Sequence, residues 1–166
     1  MTPEERRTFV RDHRTAIFGY NRASDGPAMS IVYYVIDADD TILVSTMRER
    51  AKAKAIARNR NVSMCVLDEQ WPPTYLQVYC HAEIDTDEER TIDLMMAIAE
   101  VMAGKPLDDE ALRPLVAQGA KKEGRLVLRL RPYATFETPP RHVHHESDVN
   151  PSLTHWTSTS LPWNAE

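Results

Sequence analysis

The sequence predicts a mainly β protein, an antiparallel barrel carrying a few peripheral helices. Short runs rich in β-branched and aromatic residues recur along the chain, and clusters of turn residues separate them. Only a few segments carry a helical period. The length, 166 residues, suits one globular domain and is too short for two ordinary ones.

Taken in order, residues 4–13 (EERRTFVRDH) form an amphipathic helix anchored by Phe9 and Val10. Residues 15–20 are β-prone, residues 21–27 (NRASDGP) are dense in turn formers, and residues 29–36 (MSIVYYVI) are a strong strand, so the three make a hairpin. A turn at residues 37–40 leads to a strand at 41–46 (TILVST). The alanine-rich segment 49–59 (ERAKAKAIARN) is a helix, with Ala51, Ala55 and Ile56 facing inward and Arg50, Lys54 and Arg58 sharing a face. Strands follow at 62–67 and 75–84, around a loop at 68–74. Residues 86–103 are an amphipathic helix with Thr86 as N-cap, Glu89 completing a capping box and Gly104 as the stop. Another helix spans 109–118, and a last strand runs from 125–130 towards Phe136. From residue 138 the composition shifts to Pro, His, Ser, Thr and Trp without a hydrophobic period, giving a domain at 1–137 and an extended or partly disordered tail at 138–166.

Charge separates the function classes. The net charge of −5 argues against general nucleic-acid binding. No apolar run reaches the roughly 20 residues of a membrane span, and the charged N-terminus lacks the apolar core of a secretory signal. Cys65 and Cys80 sit in apolar runs as small core residues, in keeping with a reduced, cytoplasmic protein. Six cations between Ser45 and Arg60 face one acid, so that segment is +5 and the rest of the chain carries −10. A local basic block in an acidic protein suits a small anion rather than a long polyanion. Ser45 and Thr46 end a strand, and Arg50, Ala51 and Lys52 open the helix after it. Hydroxyls, cations and the free N–H groups of a helix start together form a phosphate cradle without a glycine-rich loop. The same pattern also describes a solvated cationic helix.

The stretch TILVSTMRERAKAKAIARNRNVSMCV, with MSIVYYVI before it and LQVYCHAEI after it, resembles the split β-barrel flavoprotein superfamily, which contains pyridoxamine 5'-phosphate oxidase and the flavin/deazaflavin oxidoreductases. The shared pattern is a strand ending in Ser/Thr, then a basic residue, Ala and Lys, then N-x-x-V-S. Here it falls on Ser45, Thr46, Arg50, Ala51, Lys52, Asn59, Val62 and Ser63. The likeness covers residues 8–137. It implies an FMN-binding-like split barrel that works as a homodimer, with its cofactor in a groove between subunits. It also implies phosphate contacts from Ser45, Thr46, Arg50, Ala51 and Lys52, a ring-side contact from Ser30 and a reach to the flavin by Gln77.

Two departures matter. The oxidase's Ser-Arg-Lys is Arg50-Ala51-Lys52 here, and its C-terminal substrate signature has only a superficial echo in Arg141-His142-Val143-His144. Both speak against vitamin B6 chemistry. Arg-Ala-Lys resembles the branch using the deazaflavin coenzyme F-420, whose phospholactyl-polyglutamate tail the surplus cations Arg48, Lys54, Arg58 and Arg60 would serve. The expected activity is hydride transfer between reduced deazaflavin and a small organic substrate, without a protein nucleophile. FMN in the same groove, favoured by Gln77, and a non-catalytic carrier of a flavin-like or haem-like ligand are the alternatives. Tyr33, Trp71 and Tyr75 are placed near the substrate mouth, and solvent, Tyr33 and His81 stay open as proton donor. His142, His144 and His145, with Glu146 and Asp148, lack the rigid frame of a metal site, so no metal is expected. The tail is either a disordered polar segment or an arm laid over the body or a partner subunit. In the second case Trp156 and Trp163 anchor it over the dimer groove and narrow the substrate entrance.

Overall fold

The computed structural model describes residues 1–68, 70, 74–137 and 160–164. Helix α1 (Pro3–Asp12) begins with a capping box between Thr2 and Glu5. Strands β1 (Thr15–Asn21) and β2 (Pro27–Tyr33) form the expected hairpin, in register from Thr15 opposite Tyr33 to Asn21 opposite Pro27. The single strand expected over 29–36 breaks at Tyr34, and β3 (Val35–Ile36) continues alone. Tyr34 turns into the core, where its hydroxyl donates to the Val10 carbonyl at 2.6 Å and its N–H to the Arg14 carbonyl at 3.4 Å. Those bonds tie α1 to the sheet and remove Tyr34 from the ladder.

The chain continues through β4 (Ile42–Met47), α2 (Ala51–Arg58), β5 (Asn61–Asp68) and β6 (Thr74–Asp85) to α3 (Glu88–Ala103) and α4 (Asp109–Glu123). Strands β7 (Arg125–Glu137) and β8 (Leu161–Pro162) complete the described chain. One antiparallel sheet holds every strand among the described residues, in the order β2-β1-β5-β6-β7-β4-β3, and β8 pairs with β7 off that path. The sheet curls until β2 touches β4, which closes a barrel around Phe18, Val44, Met64, Val78 and Leu128. Helix α3 packs across that seam, in contact with β2, β3, β4 and β7.

Local details depart from the sequence expectations for identifiable reasons. The α3 cap is Asp87 rather than Thr86, its carboxylate accepting from the Arg90 N–H at 2.8 Å. Helix α4 runs through Gly119, five residues past the expected end at 118, and the stop falls at Gly124, left-handed at φ 61°. In α2 the buried residues are Ala53, Ala55 and Ile56, whereas Ala51 is exposed at the first helical position. Cys80 is in the core as expected, but Cys65 lies on the outer face of β5 and is only partly covered. An extra residue in β7 opposite Tyr79–Cys80 makes a bulge beside Pro132, whose missing N–H suits a broken ladder. Tyr133 thereby swings outward and stacks on His81.

The tail's end returns to the domain. Trp163 is 6% exposed within the core cluster, and its backbone N–H donates to the Tyr133 carbonyl at 3.1 Å. Trp71, Trp156 and the histidine tract at 142–145 lie outside the described residues. Arg6, 1% exposed, extends its guanidinium to the carbonyls of Pro162 and Trp163, both at 3.4 Å, and of Met1 at 3.5 Å. Arg6→Ala should therefore cost about 2–4 kcal/mol in urea unfolding, since it empties a buried site and strips a donor from the buried Trp163 carbonyl. A loss no larger than that of the exposed substitution Arg22→Ala would mean that the clamp contributes nothing.

Candidate functional site

A groove of about 570 Å³ opens along the barrel seam. Strand β2 contributes Ser30, Ile31, Val32 and Tyr33, and β4 contributes Ser45, Thr46 and Met47. Arg50, Ala51 and Lys52 from the start of α2, with Arg125 at the start of β7, make one end of it. Met95, Ile98 and Met102 of α3 form the opposite wall.

The turn from β4 to α2 is set by backbone bonds. The Arg50 N–H donates to the Met47 carbonyl at 3.0 Å, and the Arg48 N–H to the Gly124 carbonyl at 2.9 Å. The second bond holds the β4 turn against the α4–β7 turn and brings Arg125 to the same end as Arg50 and Lys52. Arg50 is the N-cap of α2 but makes no side-chain cap bond, and the first turn of α2 holds no acid. Helices α1, α3 and α4 each have a side-chain cap and acids in the first turn. The α2 N-terminus thus presents its free N–H groups and positive dipole end to the groove.

The electrostatics are lopsided. Lys52 is half-buried, its ammonium 5.6 Å from the centre of the Phe18 ring. Burial pushes its pKa down, and the positive charges of Arg50 and Arg125 push it further down. Glu123 holds Arg125 at 2.6 Å, but no ion pair among the described residues involves Lys52 or Arg50. Three cations therefore gather where fewer than three negative charges balance them, an arrangement that an anion would relieve. On β2, whose Ser30 is paired with Phe18, Ser30 Oγ is buried without a hydrogen-bond partner, a polar atom left for a ligand. Ser45 Oγ donates to Met95 Sδ at 3.1 Å, which joins the hydroxyl strand to the α3 wall.

Six of the eight residues proposed from the sequence thus line one groove: Ser30, Ser45, Thr46, Arg50, Ala51 and Lys52. Arg58, at the C-terminal end of α2, and Gln77 do not line it. Gln77 lies on the outer face of β6, opposite Cys65 on one side and Phe136 on the other. Tyr33 lines the groove, while His81 is on the outer sheet face with Asn61 and Tyr133. Sequence reasoning missed Arg125, Met95, Ile98 and Met102. The last three share a helix face, a spacing that reads as core until α3 is placed over the seam. No group of three or more metal-ligating side chains occurs among the described residues, and no helix among them is long and apolar enough to cross a membrane.

The family model for pyridoxamine 5'-phosphate oxidase matches residues 2–138. A search of curated proteins finds no significant match. Among solved structures, a conserved hypothetical protein of Mycobacterium tuberculosis is 22% identical, with a TM-score of 0.72 over 89% of this chain and 94% of that one. An F420 reductase is 22% identical, with a TM-score of 0.61 over 78% and 94%. The haem storage protein HutZ of Vibrio cholerae is 16% identical, with a TM-score of 0.55 over 82% and 94%. At these identities the likenesses show the fold.

The groove's charge imbalance predicts a conflict between stability and binding. Because the folded state holds the Lys52 proton less tightly than the unfolded chain, the penalty is complete at neutral pH. It fades as pH rises through the lowered value, since the unfolded chain then binds the extra proton. Lys52→Met keeps contact with the Phe18 ring and removes the charge. The ligand-free variant should melt at or above the wild-type temperature at neutral pH, with the gap narrowing as pH rises towards about 10. A markedly lower melting temperature at neutral pH would show that Lys52 is a stabilising residue rather than a strained cation.

Proposed function

The chain belongs to the pyridoxamine 5'-phosphate oxidase family, and we propose that it is a deazaflavin-dependent reductase whose seam groove holds the cofactor. The observation that carries this reading is the cluster of Arg50, Lys52 and Arg125 at the open N-terminus of α2. A phosphate there gains charge-assisted bonds and offsets both the burial of the Lys52 charge, which depresses its pKa most, and the repulsion from Arg50 and Arg125. Ser45 and Thr46 stand beside it on β4, and Ser30 Oγ is buried and unpartnered towards the ring side. The residues present fit a flavin-like ring on an anionic chain.

Coenzyme F-420, when bound, supplies hydride transfer at its C5 carbon. This chain's residues bind it, orient it and exclude water. Val32, Tyr33, Met95 and Ile98 give an apolar bed suited to a flat ring and an organic substrate. Tyr33 lines the groove, which favours it over His81 among the protein groups as a proton donor to substrate, with solvent as the other source. Deazaflavin is preferred to FMN because Arg50-Ala51-Lys52 replaces Ser-Arg-Lys and further cations lie beyond the phosphate end. Likeness to an F420 reductase agrees with this choice and does not carry it.

The reading includes a homodimer. Ile31, Ile17, Cys65, Gln77 and Phe136 form a continuous row across five strands on the outer face of the sheet. Ile31 is 77% exposed, its neighbour Met29 on β2 72% and Ile17 38%. A second copy on this row buries apolar surface and, because Ile31 also lines the groove, borders the cofactor. Gln77 lies in the row, so its reach to a cofactor runs across the dimer. The reducing cytoplasm suits the two free cysteines.

Titration of cofactor-free protein with FMN and with F-420 at one salt concentration tests the assignment. F-420 should bind tighter, and Lys52→Ala should weaken it by about 1.5–3 kcal/mol. Preference for FMN would move the chain to the flavin branch, and binding without turnover of any enone or quinone would favour a carrier. Ile17→Lys should yield a monomer by sedimentation and lose cofactor affinity. A dimer that survives this change would put the interface elsewhere.

A further inference from the structure

Among the described residues, every charged side chain that lines the seam groove is basic: Arg50, Lys52 and Arg125, with no carboxylate beside them. Lys54 is paired with Glu49 at 2.8 Å and Arg125 with Glu123 at 2.6 Å, whereas no ion pair among the described residues involves Lys52. Lys54, Lys105, Lys121 and Lys122 are exposed. Lys52 is half-buried, with its Nζ 5.6 Å from the centre of the Phe18 ring. Burial first, and then the charges of Arg50 and Arg125, make its proton easier to lose than in water. A lysine amine desolvated beside other cations is an activated nucleophile. Holding a phosphate calls for charge alone, and such an amine adds reactivity to it.

We propose that Lys52 is a covalent modification site, acylated by small acyl phosphates whose phosphate seats on Arg50 and Arg125 at the open end of α2. The Lys52 Nζ lone pair attacks the acyl carbon, and a C–N bond forms. The bond from that carbon to the phosphate oxygen breaks, and its electron pair leaves with the phosphate. One amine proton passes to the departing inorganic phosphate, so the products are an amide and hydrogen phosphate. Nothing is oxidised or reduced. The guanidiniums that hold the reagent also stabilise the charge that builds on the leaving oxygen. Lys105 and Lys122 lack both parts of this arrangement, being exposed and outside the groove. The amide carries no charge, so acylation takes the groove from three cations to two. It relieves the ligand-free protein of the Lys52 penalty and weakens the groove's hold on any phosphate. The inference goes beyond the deazaflavin reading and does not depend on it, because it uses only the amine and the two guanidiniums.

Acetyl phosphate is the probe. Cofactor-free protein is incubated with it, digested, and read by mass spectrometry for the acetylation rate at each lysine. Lys52 should react roughly tenfold faster than Lys105 and Lys122, because the reagent is held beside its amine. N-hydroxysuccinimidyl acetate, which has no phosphate, should show a much smaller preference for Lys52. Inorganic phosphate should slow acetylation by acetyl phosphate at Lys52 and leave Lys105 and Lys122 unchanged. Arg125→Gln should slow Lys52 selectively, and Lys52→Arg should remove the fast site while the slow ones persist. A rate at Lys52 no higher than at Lys122, or one that inorganic phosphate does not change, overturns the proposal. So does an equal preference for Lys52 with the phosphate-free ester, which would place the rate in the amine alone. Slow acetylation of a protein that binds F-420 tightly removes the modification site and keeps the cofactor assignment. Fast, phosphate-sensitive acetylation of a protein that binds neither F-420 nor FMN supports the site and removes the cofactor assignment.

Discussion

Strands β2 and β4 lie five places apart along one sheet and still touch. They meet because the inner faces of the strands between them carry Phe18, Met64, Val78 and Leu128, which only a closed surface can shield from water. Each such side chain contributes on the order of 1.5–3 kcal/mol when fully buried, so curling gains more than a flat sheet with one wet apolar face. β2 and β4 meet side by side without pairing in the ladder, and that leaves a seam. The groove is this seam. Helix α3 lies across it and supplies a wall of Met95, Ile98 and Met102.

The same closure concentrates charge. Helix α2 follows β4 at the seam's end, so its N-terminal residues arrive beside the start of β7. Lys52 shares its side of the helix with the half-buried approach to Phe18, while Arg50 and Arg125 press on it electrostatically. A fold selected for stability alone would place an acid here, as the first turns of α1, α3 and α4 do. Leaving the charge unbalanced costs the ligand-free protein and prepares it for an anion, the usual conflict at a binding site. Oxygen-rich β4 and buried Ser30 continue that preparation along the groove, and the thioether wall gives it an adaptable apolar side.

A second closure joins the chain's two ends. Arg6 is a charged side chain inside the core, and its donors meet carbonyls that β8 brings back to β7. Trp163 fills the space beside it. The sequence after residue 137 has no hydrophobic period, and a buried Trp163 beside a two-residue strand adds none. Their effect depends on surfaces elsewhere in the chain: the end of β7, and Arg6, which lies 156 residues before Pro162.

Much of the architecture is determined locally and could be read from residues alone. Alternation in 62–67, 75–84 and 125–130 fixes strands, alanine and capping residues fix helices, and the NRASDGP turn fixes the first hairpin. Ser45, Thr46, Arg50, Ala51 and Lys52 were legible as a group because a strand end and the following helix start are adjacent in sequence. Arg125, the α3 wall, the break at Tyr34 and the burial of Arg6 were decided only by tertiary structure. Each depends on which distant surface packs against it, and a periodic pattern states that a face is apolar without stating what covers it. The sequence determined the strands and the cation cluster, and sheet closure decided that they meet in a groove.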